Sequence, residues 1–286
     1  MGSKLDKIRI FFEEWFALVV SLLRIILLSD KHANVPEPAN KEREIIIFGN
    51  GPSFKDLIDN HSDFWMDKDR LMVNYSVCSD YFDIVKPDHY LIADPGFWLN
   101  KDKEERVFGA LRDKTTWDLN LFMPAVSFKS KSWQKMIAAN KHIKVYVHNT
   151  TPVEGPEFFT RWAYNKGYGV PRPHNVLIPS LIISLRMNYK RIYLSGAEHS
   201  WIRDLGISYD NRVIMNFSHF YDNGKPDKKE MAQYAAVPLF QVLYHQYIIF
   251  KSYMQIEKYA KDREQKIINI TPGSYIDAFE RENIKL

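Results

Sequence analysis

The stretch EIIIFGNGPSFKDLIDN, from Glu44 to Asn60, places a strand pattern, a glycine-rich turn and a helical pattern in direct succession. Ile45–Phe48 form a continuous apolar run of the kind that buried parallel strands show. Gly49 and Gly51 permit a tight turn and a close approach of backbones. Because the helix that follows begins with unpaired N–H groups, this unit predicts a site for an anion, with phosphate as the natural ligand.

The turn is not one of the common phosphate-binding motifs. It lacks the G-x-G-x-x-G spacing, and it does not end in the Gly-Lys-Ser/Thr of a Walker A loop. A second interpretation therefore stays open, in which Pro52 occupies the first helical position and Ser53 caps a plain turn.

Strand and helix patterns alternate from Glu44 towards the C-terminus, with the clearest helical stretches at Ser180–Asn188 and Ala232–Asp262. At 286 residues and 45% hydrophobic content, the chain can bury a sizeable core. We predict a single α/β domain, residues 44–286, built on a Rossmann-like, doubly wound and mostly parallel sheet. The predicted strands are Ile45–Phe48, Leu71–Asn74, His89–Ala93, Leu119–Met123, Val145–His148, Arg191–Ser195 and Lys266–Ile270.

Charge and cysteine content exclude some classes of protein. The formal net charge of +4 is small for this length and does not indicate a nucleic-acid partner. The only cysteine, Cys78, cannot form an intramolecular disulfide and suits a reducing compartment. The sequence has no Cys/His spacing typical of a zinc site.

The first 31 residues have the pattern of an amphipathic helix, and residues 32–43 read as a linker with two prolines and many charges. The uninterrupted apolar run is shorter than the ~20 residues that a bilayer span needs. We predict a helix lying on a membrane surface, the alternative being a helix docked on the protein's own core or on a partner subunit. The apolar positions at helical spacing are Ile8, Phe12, Trp15, Phe16, Val19, Leu22, Leu23, Ile26 and Leu27.

Polar residues follow several of the predicted strands. Asn74 ends one strand, Asp94 follows another, and the pair Ser195-Gly196 closes a third. In an open parallel sheet the carboxyl ends of the strands line one crevice, so these residues and Asn50 are expected to converge on a single nucleotide. A less regular segment, about residues 199–229, lies beyond one of these ends, where such folds place lids.

Six stretches occur in an order and spacing that match a known family: IIIFGNGPSFKDL, NYSVCSDYF, ADPGFW, NYKRIYLSGAEHS, NFSHFYDN and INITPGSYIDAF. In these stretches, which run from Glu44 to about Phe279, the sequence resembles the bacterial sialyltransferases of glycosyltransferase family 42. The resemblance implies a GT-A-like variant of the Rossmann fold. It also implies an enzyme that uses a CMP-sugar donor.

The resemblance implies roles for individual residues. Tyr209 matches a lid tyrosine that binds the donor phosphate, whereas the family's second such tyrosine falls near Ser200 and is missing. Asp94 stands where the family has asparagine, and Glu198 where it has aspartate. The positions that match nucleotide-binding residues are Gly49, Asn50, Gly51, Ser53, Asn74, Asp94, Ser195, Gly196, Pro272, Gly273 and Ser274.

His219, in FSHFY, matches the catalytic histidine of the family. An inverting sialyl transfer needs a base for the acceptor hydroxyl, and neutral imidazole titrates in the useful range. No Asp-x-Asp motif appears where a metal-dependent transferase would carry one, and CMP is a good leaving group, so we expect neither a metal nor another cofactor. For the acceptor, the resemblance points to Arg172, with a surface charge as the alternative, and the predicted lid position points to Trp201 as a stacking residue.

The sequence therefore predicts an inverting, metal-independent sialyltransferase that moves sialic acid or a related nonulosonic acid from a CMP donor to a glycan acceptor. A lipid-linked acceptor, as in lipooligosaccharide or O-antigen assembly, would account for the N-terminal helix at the cytoplasmic face of the inner membrane. A homo-oligomer stays possible. Two alternatives remain: a pterin pyrophosphokinase-like enzyme on the same scaffold, and a noncatalytic membrane-bound assembly module.

Overall fold

The computed structural model of the chain describes residues 4–38, 42–203, 205–214 and 237–284. Its centre is an eight-stranded sheet in which every neighbouring pair is parallel. The strands of this sheet are β1 (Glu44–Phe48), β2 (Asp69–Val73), β3 (His89–Leu91), β4 (Leu119–Pro124), β5 (Ile143–His148), β6 (Arg191–Ser195), β9 (Lys266–Asn269) and β10 (Glu280–Arg281). A separate antiparallel hairpin pairs β7 (Gly206–Ile207) with β8 (Val213–Ile214).

The strand order, β10-β9-β6-β1-β2-β3-β4-β5, places the start of the domain near the middle of the sheet. The chain builds outward from β1 to β5, then returns to lay β6 on the other side of β1. Such a reversal is a topological switch point, and it opens a crevice outside the carboxyl ends of the two strands on either side of it. The predicted α/β class and all seven predicted strands are confirmed, whereas β10 and the hairpin were not predicted.

Helices cover both faces of the sheet, which is why its strands are apolar on both sides. Successive side chains of β1 alternate between the two cores: Ile45 and Ile47 pack with α9 (Leu177–Arg186), and Ile46 and Phe48 pack with α6 (Lys101–Lys114). The helices are α1 (Lys4–Leu28), α2 (Ser53–Asn60), α3 (Ser62–Trp65), α4 (Tyr81–Val85), α5 (Gly96–Leu99), α6 (Lys101–Lys114), α7 (Ser132–Ala138), α8 (Glu157–Asn165), α9 (Leu177–Arg186) and α10 (Leu239–Lys261).

Helix α1 is docked on the domain by one narrow face. The Ser21 hydroxyl is buried, donates to the Glu154 carbonyl and accepts from the Glu154 N–H, both at 2.9 Å. Ile25 is buried in the core, and Leu18 lies against Gly155. Docking on the protein's own core, the alternative to a membrane-surface helix, is therefore observed along this narrow face. The wider apolar face is uncovered by the described residues, and its contact with a membrane stays a prediction.

The uncovered face of α1 carries most of its large apolar side chains. They include Phe12 and Phe16, which are 67% and 72% exposed, and they extend along the whole helix: Leu5, Ile8, Ile10, Phe11, Phe12, Trp15, Phe16, Val19, Leu22, Leu23, Ile26, Leu27 and Leu28. An apolar surface of this extent marks an interaction site. No helix within the described residues combines the length and the apolar character needed to cross a bilayer.

Candidate functional site

The glycine-rich turn after β1 is fastened to the end of β6. The Gly49 N–H donates to the Ser195 carbonyl and the Gly51 N–H to the Gly196 carbonyl, each at 2.8 Å. A Cβ atom on Gly49 would lie 2.3 Å from the Gly196 oxygen, so no side chain fits there. Gly196 has a φ of +64°, a conformation that glycine adopts without strain. The two strand ends therefore meet backbone to backbone, and glycine is required on both sides.

The N-terminus of α2 is closed by a carboxylate instead of open to an anion. Glu198 Oε1 accepts a hydrogen bond from the Ser53 N–H at 2.7 Å. The other oxygen, Oε2, lies so close to Gly51 that a Cβ atom there would come within 1.6 Å of it. The expectation of an unpaired N–H group is wrong for Ser53 at the start of α2, because this amide donates to Glu198. The Gly49 and Gly51 amides of the preceding turn also donate within the protein.

A cleft of about 720 Å³ lies at the switch point, outside the carboxyl ends of the strands. A volume of this size suits a small-molecule ligand. It is lined by nine of the residues for which a nucleotide or acceptor role was predicted: Gly49, Asn50, Gly51, Asn74, Asp94, Gly196, Trp201, Pro272 and Gly273. The structure thus brings together residues that are up to about 220 positions apart in the sequence.

Three of these polar side chains are positioned by hydrogen bonds to other parts of the strand ends. Asn50 Oδ1 accepts from the Ser76 hydroxyl at 2.9 Å. Asn74, which has a φ of +51°, accepts from the Ala93 N–H through Oδ1 at 3.3 Å. Asp94 Oδ1 accepts from the Gly96 N–H at 2.8 Å and forms a local turn. Each bond fixes a side chain at the end of its strand.

Three other predicted nucleotide-binding residues do not line the cleft. The Ser195 side chain is buried at the end of β6. The Ser274 hydroxyl donates to the Ala197 carbonyl at 2.7 Å and accepts from Asn269 Nδ2 at 2.9 Å. The Ser53 hydroxyl is buried and has no hydrogen-bond partner among the described residues. Ser195 and Ser274 therefore support the walls of the cleft from behind.

The remaining predicted site residues have separate positions. Tyr209 is fully exposed in the turn between β7 and β8 and does not line the cleft, so a phosphate role would require the hairpin to move. Arg172 pairs with Glu154 at 2.8 Å and donates to the Tyr244 hydroxyl at 3.2 Å. It lines a smaller cavity of about 240 Å³ beside the cleft. His219 lies outside the described residues.

The cleft also contains ionisable residues to which the sequence analysis gave no role. Arg203 lines it and is the one lysine or arginine among its described lining residues. His174 and His245 line it as well, with ring centroids 5.2 Å apart. Desolvation lowers the pKa of His174, and the neighbouring His245 and Arg172 lower it further. The local sequence gives no indication of a role in the site for either histidine: His174 lies in a loop, and His245 lies within α10.

A buried polar network forms one wall of the cleft. His199 Nε2 lies 2.7 Å from the Tyr253 hydroxyl, and Asn175 Nδ2 donates to the same hydroxyl at 3.0 Å. Asn175 also accepts from the N–H of Leu177 at the start of α9, at 2.9 Å. Burial lowers the pKa of His199 to about 3, so its imidazole is neutral at physiological pH and is too weak a base to take a proton there.

His199 and Trp201 form a stacked pair at the edge of the cleft. Their ring centroids are 4.3 Å apart, at an interplanar angle of 30°. His199 has a φ of +50°, a conformation that costs free energy for a residue with a side chain. Among the described residues, no three His, Cys, Asp or Glu side chains lie close enough together to hold a metal ion.

Comparisons with known proteins return little for this chain. No protein-family model matches it, and no curated protein is similar to it in sequence. Among solved structures, one match is a MAf glycosyltransferase from Magnetospirillum magneticum AMB-1, with 9% sequence identity and a TM-score of 0.49. The match covers 93% of this chain and 38% of the other, so the chain spans well under half the length of that protein. A similarity this distant does not bear on the reaction.

Proposed function

We propose that the chain is an inverting sialyltransferase, which moves sialic acid or a related nonulosonic acid from a CMP donor to a glycan acceptor. The observation that carries the proposal is the convergence of the matching motifs. The turn at Asn50, the strand ends at Asn74 and Asp94, and the Pro272-Gly273 segment all line one cleft at the switch point. This is where folds of this class bind nucleotides.

The reaction needs a base on the acceptor side of the cleft. The base removes the acceptor hydroxyl proton while that oxygen forms a bond to the anomeric carbon, and the bond from that carbon to the phosphate oxygen breaks to release CMP. We assign this role to His219. Trp201 offers an aromatic face at the edge of the cleft on which a sugar ring can stack. The role that the resemblance gave to Tyr209 requires closure of the hairpin over the donor.

His174 and His245 are the competing candidates for the base. Both are exposed and line the cleft, so an acceptor hydroxyl can reach them. We rank them below His219 because neither belongs to a motif shared with the family. The test is to compare His174→Ala, His245→Ala and His219→Ala at saturating donor, where loss of the base lowers kcat and leaves CMP affinity nearly unchanged.

The acceptor is proposed to be lipid-linked. The exposed face of α1 fits the boundary between lipid headgroups and acyl chains, with aromatic side chains at its N-terminal half. Helix α1 is also close to the cleft, because Arg24 of α1 and His174 of the cleft line the same small cavity. An acceptor held at the membrane surface would therefore reach the cleft over a short distance. The single cysteine agrees with the cytoplasmic side of the inner membrane.

A nucleotide screen tests the donor. CMP should raise the melting temperature by mass action, while UMP, GDP and ATP should have smaller effects. Transfer assays with CMP-sialic acid and related CMP-nonulosonic acids then identify the sugar. Equal stabilisation by ATP would instead favour the pterin pyrophosphokinase-like alternative. If none of the four nucleotides stabilises the protein, a noncatalytic assembly module becomes the better account.

A flotation assay tests the membrane contact. Phe12→Ser combined with Phe16→Ser should reduce binding to vesicles that contain anionic lipid, because both side chains are exposed on α1. Ile84→Ser, an equally polar change at an exposed position of α4, is the matched control. If the wild-type protein forms a dimer and does not bind vesicles, the exposed face of α1 is instead a contact between two copies of the chain.

A further inference from the structure

Charged groups in the cleft belong to different parts of the fold. Glu198 lies against the turn after β1, and Asp94 follows β3, so both carboxylates lie at the carboxyl edge of the sheet. Arg203 belongs to the segment that follows the 3₁₀ turn Ser200–Ile202, beyond that edge. All three residues line the same cleft. A ligand with a neutral part and an anionic part therefore meets two different environments.

The two oxygens of the Glu198 carboxylate differ in their hydrogen bonds. Oε1 accepts from the Ser53 N–H at 2.7 Å, whereas Oε2 is buried and has no hydrogen-bond partner among the described residues. An ionised carboxylate only accepts hydrogen bonds, so Oε2 requires a donor group from a ligand or from water. A phosphate brought to the same place would meet a like charge at short range, and the helix amide that would have attracted it is already occupied.

Ribose hydroxyls supply the donor that Glu198 lacks. They are neutral and can donate to a carboxylate, as they do to the acidic residue of dinucleotide-binding folds. Arg203 provides the complementary group, because a guanidinium offers a planar set of N–H donors that fits phosphate oxygens in pairs. The charges of Glu198 and Arg203 thus favour one orientation of a nucleotide, with the ribose at Glu198 and the phosphate at Arg203, over the reverse orientation.

We infer that the donor binds with its ribose against Glu198 and its phosphate against Arg203. This orientation rests on the proposed function, because it assumes a nucleotide donor. Glu198 then acts as a specificity residue for the ribose hydroxyls, and Arg203 as the phosphate-binding residue. The segment that carries Arg203 begins at the stacked pair His199 and Trp201, so the phosphate and the attached sugar lie towards the acceptor side of the cleft.

The test uses three ligands on the full-length chain: cytidine, CMP and 2′,3′-dideoxycytidine, with affinities measured by calorimetry. Glu198→Gln keeps the acceptor for the Ser53 N–H and removes the charge. It should weaken cytidine binding ~10-fold and leave dideoxycytidine unchanged, because only cytidine carries the hydroxyls. Arg203→Gln should weaken CMP binding ~10- to 100-fold and leave cytidine unchanged.

Arg212→Gln is the matched control for Arg203. Arg212 is an exposed arginine at β8 that pairs with Asp210 at 2.8 Å, and it does not line the cleft, so all three affinities should stay at the wild-type value. Should Glu198→Gln fail to fold, wild-type protein still answers the question: it should bind dideoxycytidine ~10-fold more weakly than cytidine.

The orientation and the proposed function fail in different ways. If Arg203→Gln weakens cytidine as much as CMP, or if dideoxycytidine and cytidine bind wild-type protein equally well, the orientation is wrong although a cytidine nucleotide still binds. If the wild-type chain binds neither CMP nor cytidine, the donor assignment itself is wrong.

Discussion

The two edges of the sheet carry similar polar residues and use them differently. At the amino edge, Glu44, Asp69 and His89 begin β1, β2 and β3 and are buried. At the carboxyl edge, Asn50 and Asp94 follow β1 and β3 and line an open cleft. Residue type alone does not separate the edges. What separates them is whether the hydrogen bonds are completed inside the protein or leave atoms available to a ligand.

The amino edge is closed by a continuous hydrogen-bonded chain. Asn120 Nδ2 lies 3.2 Å from His89 Nδ1, and His89 Nε2 lies 2.9 Å from the Tyr189 hydroxyl, which donates in turn to Asp69. Burial lowers the pKa of His89 and holds its imidazole neutral. A satisfied network of this kind rigidifies the core and offers nothing to a substrate.

The largest effect is expected for His219, the base that we propose for the reaction. His219→Ala should lower kcat by ~10²- to 10⁴-fold, the usual contribution of a general base, with little change in CMP affinity or melting temperature. Transfer rates at saturating donor measure it. A variant that works at nearly the wild-type rate would move the base to His174 or His245.

Acid should next destabilise the protein through its buried His148. Burial lowers the pKa of His148 from 6.5 to about 4, so between these values the unfolded chain binds a proton that the folded chain does not. The contribution of His148 to the free energy of unfolding is therefore fully present above pH 6.5. It falls by about 3 kcal/mol as the pH drops towards 4. Urea titrations across this range should show a smaller pH dependence for His148→Leu, and an unchanged dependence would contradict the assignment.

At the amino edge, Tyr189→Phe should cost stability and spare function. The change removes the hydroxyl that joins His89 to Asp69, so the free energy of unfolding should fall by ~1–3 kcal/mol, with a melting temperature lower by ~2–4 °C per kcal/mol. Tyr247→Phe, at an exposed tyrosine, is the matched control. If Tyr189→Phe also weakened the binding free energy of CMP by as much as it lowers the free energy of unfolding, the two edges of the sheet would be coupled.

The smallest effect is expected for Asp94→Asn at the carboxyl edge. The amide oxygen keeps the hydrogen bond to the Gly96 N–H, and the exposed site should change stability by less than ~0.5 kcal/mol. If the donor phosphate lies at Arg203 and not beside Asp94, CMP affinity should change by less than ~3-fold, since solvent and salt screen an exposed charge. CMP binding that tightens more than ~10-fold would place the phosphate beside Asp94.

The sequence predicts the sheet well because a buried parallel strand needs nothing beyond its own apolar run, as Ile45–Phe48 and Arg191–Ser195 show. The convergence of Asn50, Asn74 and Asp94 also follows from their place after strands. By contrast, the carboxylate over α2 was not predicted, because Glu198 reaches Ser53 across 145 positions. His174 and His245 likewise meet only when α10 packs beside the loop before α9. Such contacts depend on tertiary packing and leave no local pattern.

The glycine pair at the head of the sheet restricts how this chain can evolve. A Cβ atom on Gly49 would meet the Gly196 oxygen at 2.3 Å, and one on Gly196 would meet the Gly49 oxygen at 2.6 Å. A larger residue at either position cannot be compensated at the other, because glycine is already the smallest side chain available. Gly49 and Gly196 are therefore expected to be retained together, because a substitution at one cannot be compensated by a substitution at the other. A lineage that loses either glycine must rebuild the strand ends before it recovers the cleft.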